Sequence, residues 1–373
     1  MPAAWERPLV RWASAGLVDA AAVERIRAWE SAHHGKTGLR WPVRLALGLG
    51  GLMISAGVLL FVAAHWDALG PWQRFALVVG TVGALHMAGA ALAEHAGGVA
   101  AALHACGTAA LGGAVFLTGQ IFHLEEHWPG GLLLWALGAW IGWGLLRQWP
   151  QALLAALLTP AWLTGEWIVR TEQQHGELIL SVGILLLALT YLVAESDARA
   201  GGIALRRALV WTGALGLIPA TLGFLLAVHG LRHYSSGPSI ELAVMGWGAA
   251  LVLPLALAWW MRGPGAAANL AAALWVMAGT WLARGDGVQP YLWSLAFSLG
   301  LVAWGLVERR PLRINLGVAG FALTVVVFYF SSVMDRLGRS ASLIGLGVLF
   351  LGGGYLLERG RRQLLTRVGG ANG

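Results

Sequence analysis

What this chain lacks says most about it. Charged residues make up only 12% of its 373 positions, against roughly a quarter in soluble domains. A surface so poor in charge excludes water as the solvent for most of the molecule. Cysteine is nearly missing too: Cys106 stands alone, which excludes an internal disulfide framework and a cysteine zinc site. Its apolar neighbours predict an inert, buried thiol. No cleavable leader is expected, because the first apolar stretch begins near Val43, behind a charged segment. That stretch reads as an anchor that stays. No glycine loop follows a strand pattern in the way a phosphate cradle requires, since the glycine-rich strings lie inside apolar runs. No cofactor is implied.

What is present points one way. Hydrophobic residues reach 58%, with 53 glycines and 21 tryptophans. Small residues let helices approach closely in a bilayer, and indole rings settle at headgroup level. Many tryptophans do end apolar runs, among them Trp41, Trp66, Trp72, Trp128, Trp149, Trp167 and Trp281. The fold class is therefore all-α: a polytopic transmembrane helical bundle, with the lipid bilayer as its principal partner.

Residues 1–42 differ from the rest. Two short helical patterns flank Gly16-Leu17-Val18-Asp19, and Asp19 is placed to cap the second, which carries Val23 and Ile26 on one face. This predicts a cytosolic helical hairpin on the membrane surface, too small to be stable without a protein partner. From Val43 onward apolar runs of roughly 17–23 residues follow one another, the length that spans a hydrocarbon core. The expected spans are 43–64, 75–93, 99–121, 131–147, 151–168, 178–194, 208–228, 242–261, 267–283, 291–307, 314–334 and 341–357. That makes about twelve, within a range of eleven to thirteen.

Charge placement sets the orientation. With twelve spans and the N-terminus inside, only Arg74, Arg170, Arg232, Arg284, Arg336 and Arg339 fall outside, while the other nineteen of the 25 basic residues fall inside. By the positive-inside rule both termini are cytosolic. The net charge of +7 is thus a membrane-orientation signal and not a nucleic-acid footprint, because the basic residues are scattered through short loops. A faint internal repeat runs alongside. Trp143-Gly144-Leu145 with Pro150 recurs as Trp304-Gly305-Leu306 with Pro311, at an offset of 161 residues.

Three stretches share a wider likeness. One is Gly57-Val-Leu-Leu-Phe-Val-Ala-Ala-His65-Trp66-Asp67, ending at Trp72-Gln-Arg74-Phe. Another is Gly119-Gln120-Ile-Phe-His123-Leu followed by Gly131-Leu-Leu-Leu-Trp135. The last is the tail from Tyr329 through Ser340, Leu346-Gly347 and Glu358-Arg359. With the leader's Gly16-Leu17-Val18-Asp19, these resemble the DUF2157 family of predicted bacterial membrane proteins, most strongly over residues 5–145. The family pattern carries asparagine where this chain has His65. The resemblance implies topology and residence in a bacterial inner membrane, and no reaction.

Polar residues at membrane depth are the site candidates, because they are costly there. His65 and Asp67 end the first span; Gln120, His123 and Glu126 end the third; Glu166 lies just inside the outer end of the fifth. These residues are expected to line one outward-facing, ligand-binding cavity, with Glu166 near Asp67 and Gln120. The string His123-Leu-Glu125-Glu126-His127 matches the H-x-x-E-H pattern of inverted zinc proteases. Trp128-Pro129-Gly130-Gly131 breaks any helix there, so the string reads as a polar loop and no metal is expected. His86 and His104 form a second candidate, an intramembrane pair within about one turn of each other in depth. The leading reading of activity is a carrier, with prolines Pro160, Pro219 and Pro254 breaking spans around a cavity. The alternatives are a sensor or scaffold acting through the N-terminal hairpin, and a membrane enzyme acting on a lipid-linked substrate. Oligomeric state is not encoded in any pattern here.

Overall fold

The computed structural model describes residues 6–33, 66–123, 127–172, 174–194, 203–230, 237–283 and 287–330, with a few isolated positions beyond them. Two of the expected spans, 43–64 and 341–357, lie outside these residues apart from those isolated positions, as do His65 and Glu126. The chain divides into two compact units, Met1–Gly70 and Pro71–Gly373. Every regular element among the described residues is helical.

The first unit holds α1 (Glu6–Ser14) and α2 (Ala20–His33). Gly16 turns the chain between them in the left-handed region, at φ 70°, where glycine pays no steric penalty. Asp19 caps α2, its Oδ1 accepting the Ala22 N–H at 2.6 Å, and satisfies one of the donors a helix start leaves open. One turn in, Arg27 donates to Glu24 at 2.7 Å. A short 3-10 turn, Trp66–Ala68, follows in the same unit.

The second unit is a run of helices: α3 (Pro71–Leu92), α4 (Gly97–Phe122), α5 (Trp128–Leu146), α6 (Trp149–Arg170), α7 (Glu177–Leu192), α8 (Ile203–Gly230), α9 (Ile240–Arg262), α10 (Ala267–Leu282), α11 (Gln289–Val307) and α12 (Pro311–Phe328). Proline opens α3 and α12 and stands second in α5, α6 and α11; at a helix start its missing N–H has nothing to lose. Left-handed residues His123 and Arg147 close α4 and α5. The strongest packing is between chain neighbours, α3 with α4, α5 with α6, α7 with α8 and α11 with α12. The core lies around α7, α8, α10 and α11, where Leu185, Phe224, Val276 and Trp293 are buried.

Glycine shapes the contacts. A Cβ added at Gly246 would lie 2.2 Å from the Trp167 ring, one at Gly279 2.6 Å from Trp293, and one at Gly112 2.3 Å from Trp135. Each ring therefore sits where its neighbour helix has no side chain. Prolines inside helices are answered locally as well. Pro160 has no N–H for the Ala156 carbonyl four residues back, and the Tyr191 hydroxyl donates to that oxygen at 3.4 Å.

Eight helical stretches among the described residues are long and apolar enough to cross a membrane, with α9 to α10 counted as one, and α7 is a shorter apolar helix. Their exposed surface is largely apolar: Leu145, Leu215, Leu226, Val244, Trp259 and Leu274 are all exposed. Cys106 corrects one expectation, since it is exposed and not buried. In a span bathed by lipid, apolar sequence neighbours do not distinguish the core from the outer face.

The faint repeat has a structural counterpart. The bounds of α5 and α11 differ by 161 at both ends, and the same offset carries Pro129 onto Pro290, Trp143 onto Trp304 and Pro150 onto Pro311. Each of these helices turns back into a tightly packed successor, α6 or α12.

Candidate functional site

Glu166 stands one turn before the end of α6, with Trp162 and Arg170 four residues away on either side and so on the same face. Gly165 lies under the Trp128 ring and beside Pro129, where a Cβ would come within 2.8 Å of the indole. That close approach seats the start of α5 against the end of α6 and brings His127 to the carboxylate. His127 Nε2 lies 3.0 Å from Glu166 Oε1, the Trp162 indole N–H donates to the same oxygen at 3.2 Å, and Arg170 stands 3.6 Å from Oε2. Glu166 is 19% exposed, against 53% for His127 and 59% for Arg170. The result is a partly sheltered carboxylate with cationic or protonatable partners on its wet side.

Below it runs a slot of about 250 Å³ between α6, α7 and α9. Glu166 and Arg170 form its polar rim, Leu180, Ile184 and Leu253 belong to its apolar wall, and Pro160 and Pro254 also line it. Thr164 adds one hydroxyl. A second apolar cavity, about 660 Å³, flanks the other side of α7 against α8. His175 and Glu177, 3.6 Å apart, lie at its rim. Both cavities have the chemistry of an amphiphile site: hydrocarbon walls with a charged group at one end.

The other sequence candidates fall out as follows. Gln120 is exposed in the last turn of α4, and His123 caps that helix, also exposed. Glu166 takes its partners from His127, Trp162 and Arg170. Asp67 stands in the short turn of the first unit. His86 and His104 do meet: their Nδ1 atoms are 3.1 Å apart across α3 and α4, and His104 is buried. Among the described residues no group of three or more His, Cys, Asp or Glu side chains is arranged to hold a metal ion.

Sequence reasoning missed a dense polar cluster. Glu308, just past α11, accepts from Arg262 at the end of α9, from the Trp304 indole, and from Arg313 in the first turn of α12 at 2.6 Å. Arg262 also donates to Asn269 of α10 at 3.0 Å. Both guanidiniums stack over the Trp304 ring, 5.5 and 5.1 Å from its centroid. Arg313 is 1% exposed and Arg262 7%. Burial pushes the Glu308 carboxyl up, but the Trp304 N–H and the two guanidiniums outweigh it and hold the group down at about 2. Read along the chain, these arginines count only as loop charges. Nothing in the spacing of Arg262 and Glu308, 46 residues apart, announces the contact.

Long apolar helices, apolar outer faces and charge confined to helix ends together define a multi-pass helical membrane protein. Residues 10–151 match the family described as Predicted membrane protein (DUF2157), which agrees with the resemblance in the sequence. No curated protein and no solved structure matches the chain.

Proposed function

We propose that the protein is a carrier for an amphiphile, taken up in the slot between α6, α7 and α9 with its polar head at Glu166 and Arg170. One observation carries this reading: a narrow apolar slot with a single sheltered carboxylate at its rim and two prolines inside its wall helices, Pro160 and Pro254. Proline removes a backbone bond from each helix, so α6 and α9 have a weak point beside the same space. That is the arrangement that lets a helix pair bend around a bound molecule. The frame of the proposal is a twelve-span bundle with both termini cytosolic, in a bacterial inner membrane. Glu166 then faces the outer leaflet, and the Glu308 cluster faces the cytosol. Gln120, His123 and Asp67 belong to the same outward side in this frame, as does Glu126.

The test has two arms. Reporter fusions at residue 20, residue 202 and the C-terminus should read cytosolic, and fusions at 68, 125 and 235 should read outside. An outside C-terminus overturns the frame. Native mass spectrometry of the protein purified from membranes should show a bound lipid that is lost in Ala249→Trp, which fills the slot, and weakened in Glu166→Gln. Equal lipid retention in all three proteins overturns the site. The sensor reading rests on a separate observation, the exposed Trp12, Leu17 and Trp29 of the first unit. It gains if deleting residues 1–38 leaves lipid binding intact but abolishes a cellular response.

A further inference from the structure

The His86–His104 pair is built, and not incidental. Each imidazole lies over a glycine of the opposite helix. A Cβ at Gly107 would come within 2.8 Å of the His86 ring, and one at Gly89 within 2.9 Å of His104. The glycines stand three residues after each histidine, so the two seats are reciprocal. Only this double vacancy lets the rings reach an Nδ1-to-Nδ1 distance of 3.1 Å.

That distance has a chemical consequence. A hydrogen bond at 3.1 Å needs one Nδ1–H and one bare Nδ1. In the neutral pair one ring therefore carries its hydrogen on Nδ1 and the other on Nε2. One further proton has a place to go, the bare Nε2 of the donor ring. The shared hydrogen then lies between the two Nδ1 atoms, and a single charge spreads over two rings. A second added proton would set two N–H groups face to face and break the contact.

A polar seam continues from the pair. One turn beyond His104, the buried Thr108 hydroxyl donates to Gln151 Oε1 of α6 at 2.9 Å, and the Trp135 indole of α5 donates to the Thr108 carbonyl at 2.7 Å. Gln151 is fully buried, seated over Gly142, and its Nε2 has no hydrogen-bond partner among the described residues. A buried amide donor left open beside Thr108, itself one helical turn from His104, is a place for a bound water. Charged groups are distant along the helices. Arg74 lies about 18 Å down α3, and Glu94 and His95 stand past its end, about 12 Å away at helical rise. On α6, Glu166 and Arg170 occupy the far end, Arg147 caps α5, and on α4 Cys106 is exposed and His123 caps the end.

We propose that His86 and His104 form a binding site for one proton, held between α3 and α4 and continued by the Thr108–Gln151 seam. This supplies a coupling ion for the carrier and so rests on that reading for its purpose, but the site itself stands on its own geometry. The test uses the full chain in lipid nanodiscs with 15N-labelled histidine, followed by solid-state NMR from pH 9 to pH 4. Two histidines should show a mutual Nδ1 hydrogen bond and together take up one proton. Gly107→Ala should push His86 off its seat, abolish the Nδ1 coupling and convert the pair into two independent titrations. One proton per ring in the wild type overturns the proposal, and so does no uptake across the range, which would mark inert packing. A displacement of both Nδ1 signals by added Zn2+ in place of protons also overturns it, in favour of a metal pair. Lipid retention is not read in this experiment, so failure of the proton site and failure of the carrier reading are distinguishable.

Discussion

The α5–α6 and α11–α12 hairpins share one frame and hold it differently. Both turn just after a tryptophan one turn from the helix end, Trp143 or Trp304, and both enter the next helix through a proline, Pro150 or Pro311. In each, a guanidinium lies over that tryptophan: Arg147 at 4.8 Å in the first, Arg262 and Arg313 in the second. Arg147 stays exposed, whereas Arg313 is buried. The difference begins at Glu308, the acid at the position where the first hairpin has Arg147 itself. An isolated buried guanidinium is prohibitively costly, and one carboxylate shared by two of them makes their burial tolerable. Where the first hairpin has no such acid, its arginine remains at the rim and the interior is joined by the neutral Thr108–Gln151 pair. A membrane bundle can thus close equivalent turns with an ion cluster or with an amide, and the two differ at paired positions: Glu308 stands where the first hairpin has Arg147, and Arg313 where it has Ala152.

The largest expected effect breaks the charged version. Glu308→Gln removes the carboxylate to which two buried guanidiniums donate and should destabilise the protein by about 3–5 kcal/mol, read as a fall in unfolding midpoint in detergent or nanodiscs. A change below about 1 kcal/mol would mean the cluster does not act as a unit. The pH sign follows from the depressed carboxyl: its folded value of about 2 lies below its ordinary 4.5. The stabilisation is therefore complete above the ordinary value and is lost as pH falls toward the folded one. Wild type should weaken between about pH 5 and pH 2 more steeply than Glu308→Gln.

Smaller effects sharpen the contrast. Gln151→Leu installs in the first hairpin the residue that the second has at the matching position, Leu312, and should cost about 0.6–1.7 kcal/mol, the range of interhelical side-chain bonds in bilayers. Pairing it with Thr108→Val should recover part of that loss, because both polar partners then vanish together. Tyr191→Phe, which strips the Ala156 carbonyl of its donor, should cost about 1 kcal/mol. The second hairpin has Phe321 where the first has Pro160, so no comparable donor is called for there. Arg147→Ala is expected to be smallest, about 0.5 kcal/mol, as an exposed cation–π contact. A loss as large as that of Glu308→Gln would erase the distinction between the two turns.

Much of the frame was legible in the sequence. Apolar length announced the membrane helices, prolines and glycines marked their starts and turns, and counting depth along adjacent spans set His86 and His104 at a similar level. The partners of Glu166 were harder. His127 belonged to a string read as a loop, and the close approach at Gly165 that delivers it is a three-dimensional fact. The Glu308 cluster was illegible for a related reason. Helices that are apolar all round carry no stripe to say which face meets which neighbour, so contacts between residues far apart in sequence have no periodic signature. The exposed thiol of Cys106 was misread on the same ground.

The seating of rings on glycines has a use in protein engineering. Gly107, Gly112, Gly246 and Gly279 each lie under a ring, whereas Gly113, Gly144, Gly223, Gly248 and Gly300 have no atom of the described residues within 4 Å of an added Cβ. Both sets sit in helices, where alanine is preferred over glycine by about 1 kcal/mol. Alanine at the open positions should accumulate thermal tolerance without touching a contact, and alanine at the ring seats should squander it. The glycines of this chain thus sort into those a stabilised variant can discard and those it has to keep.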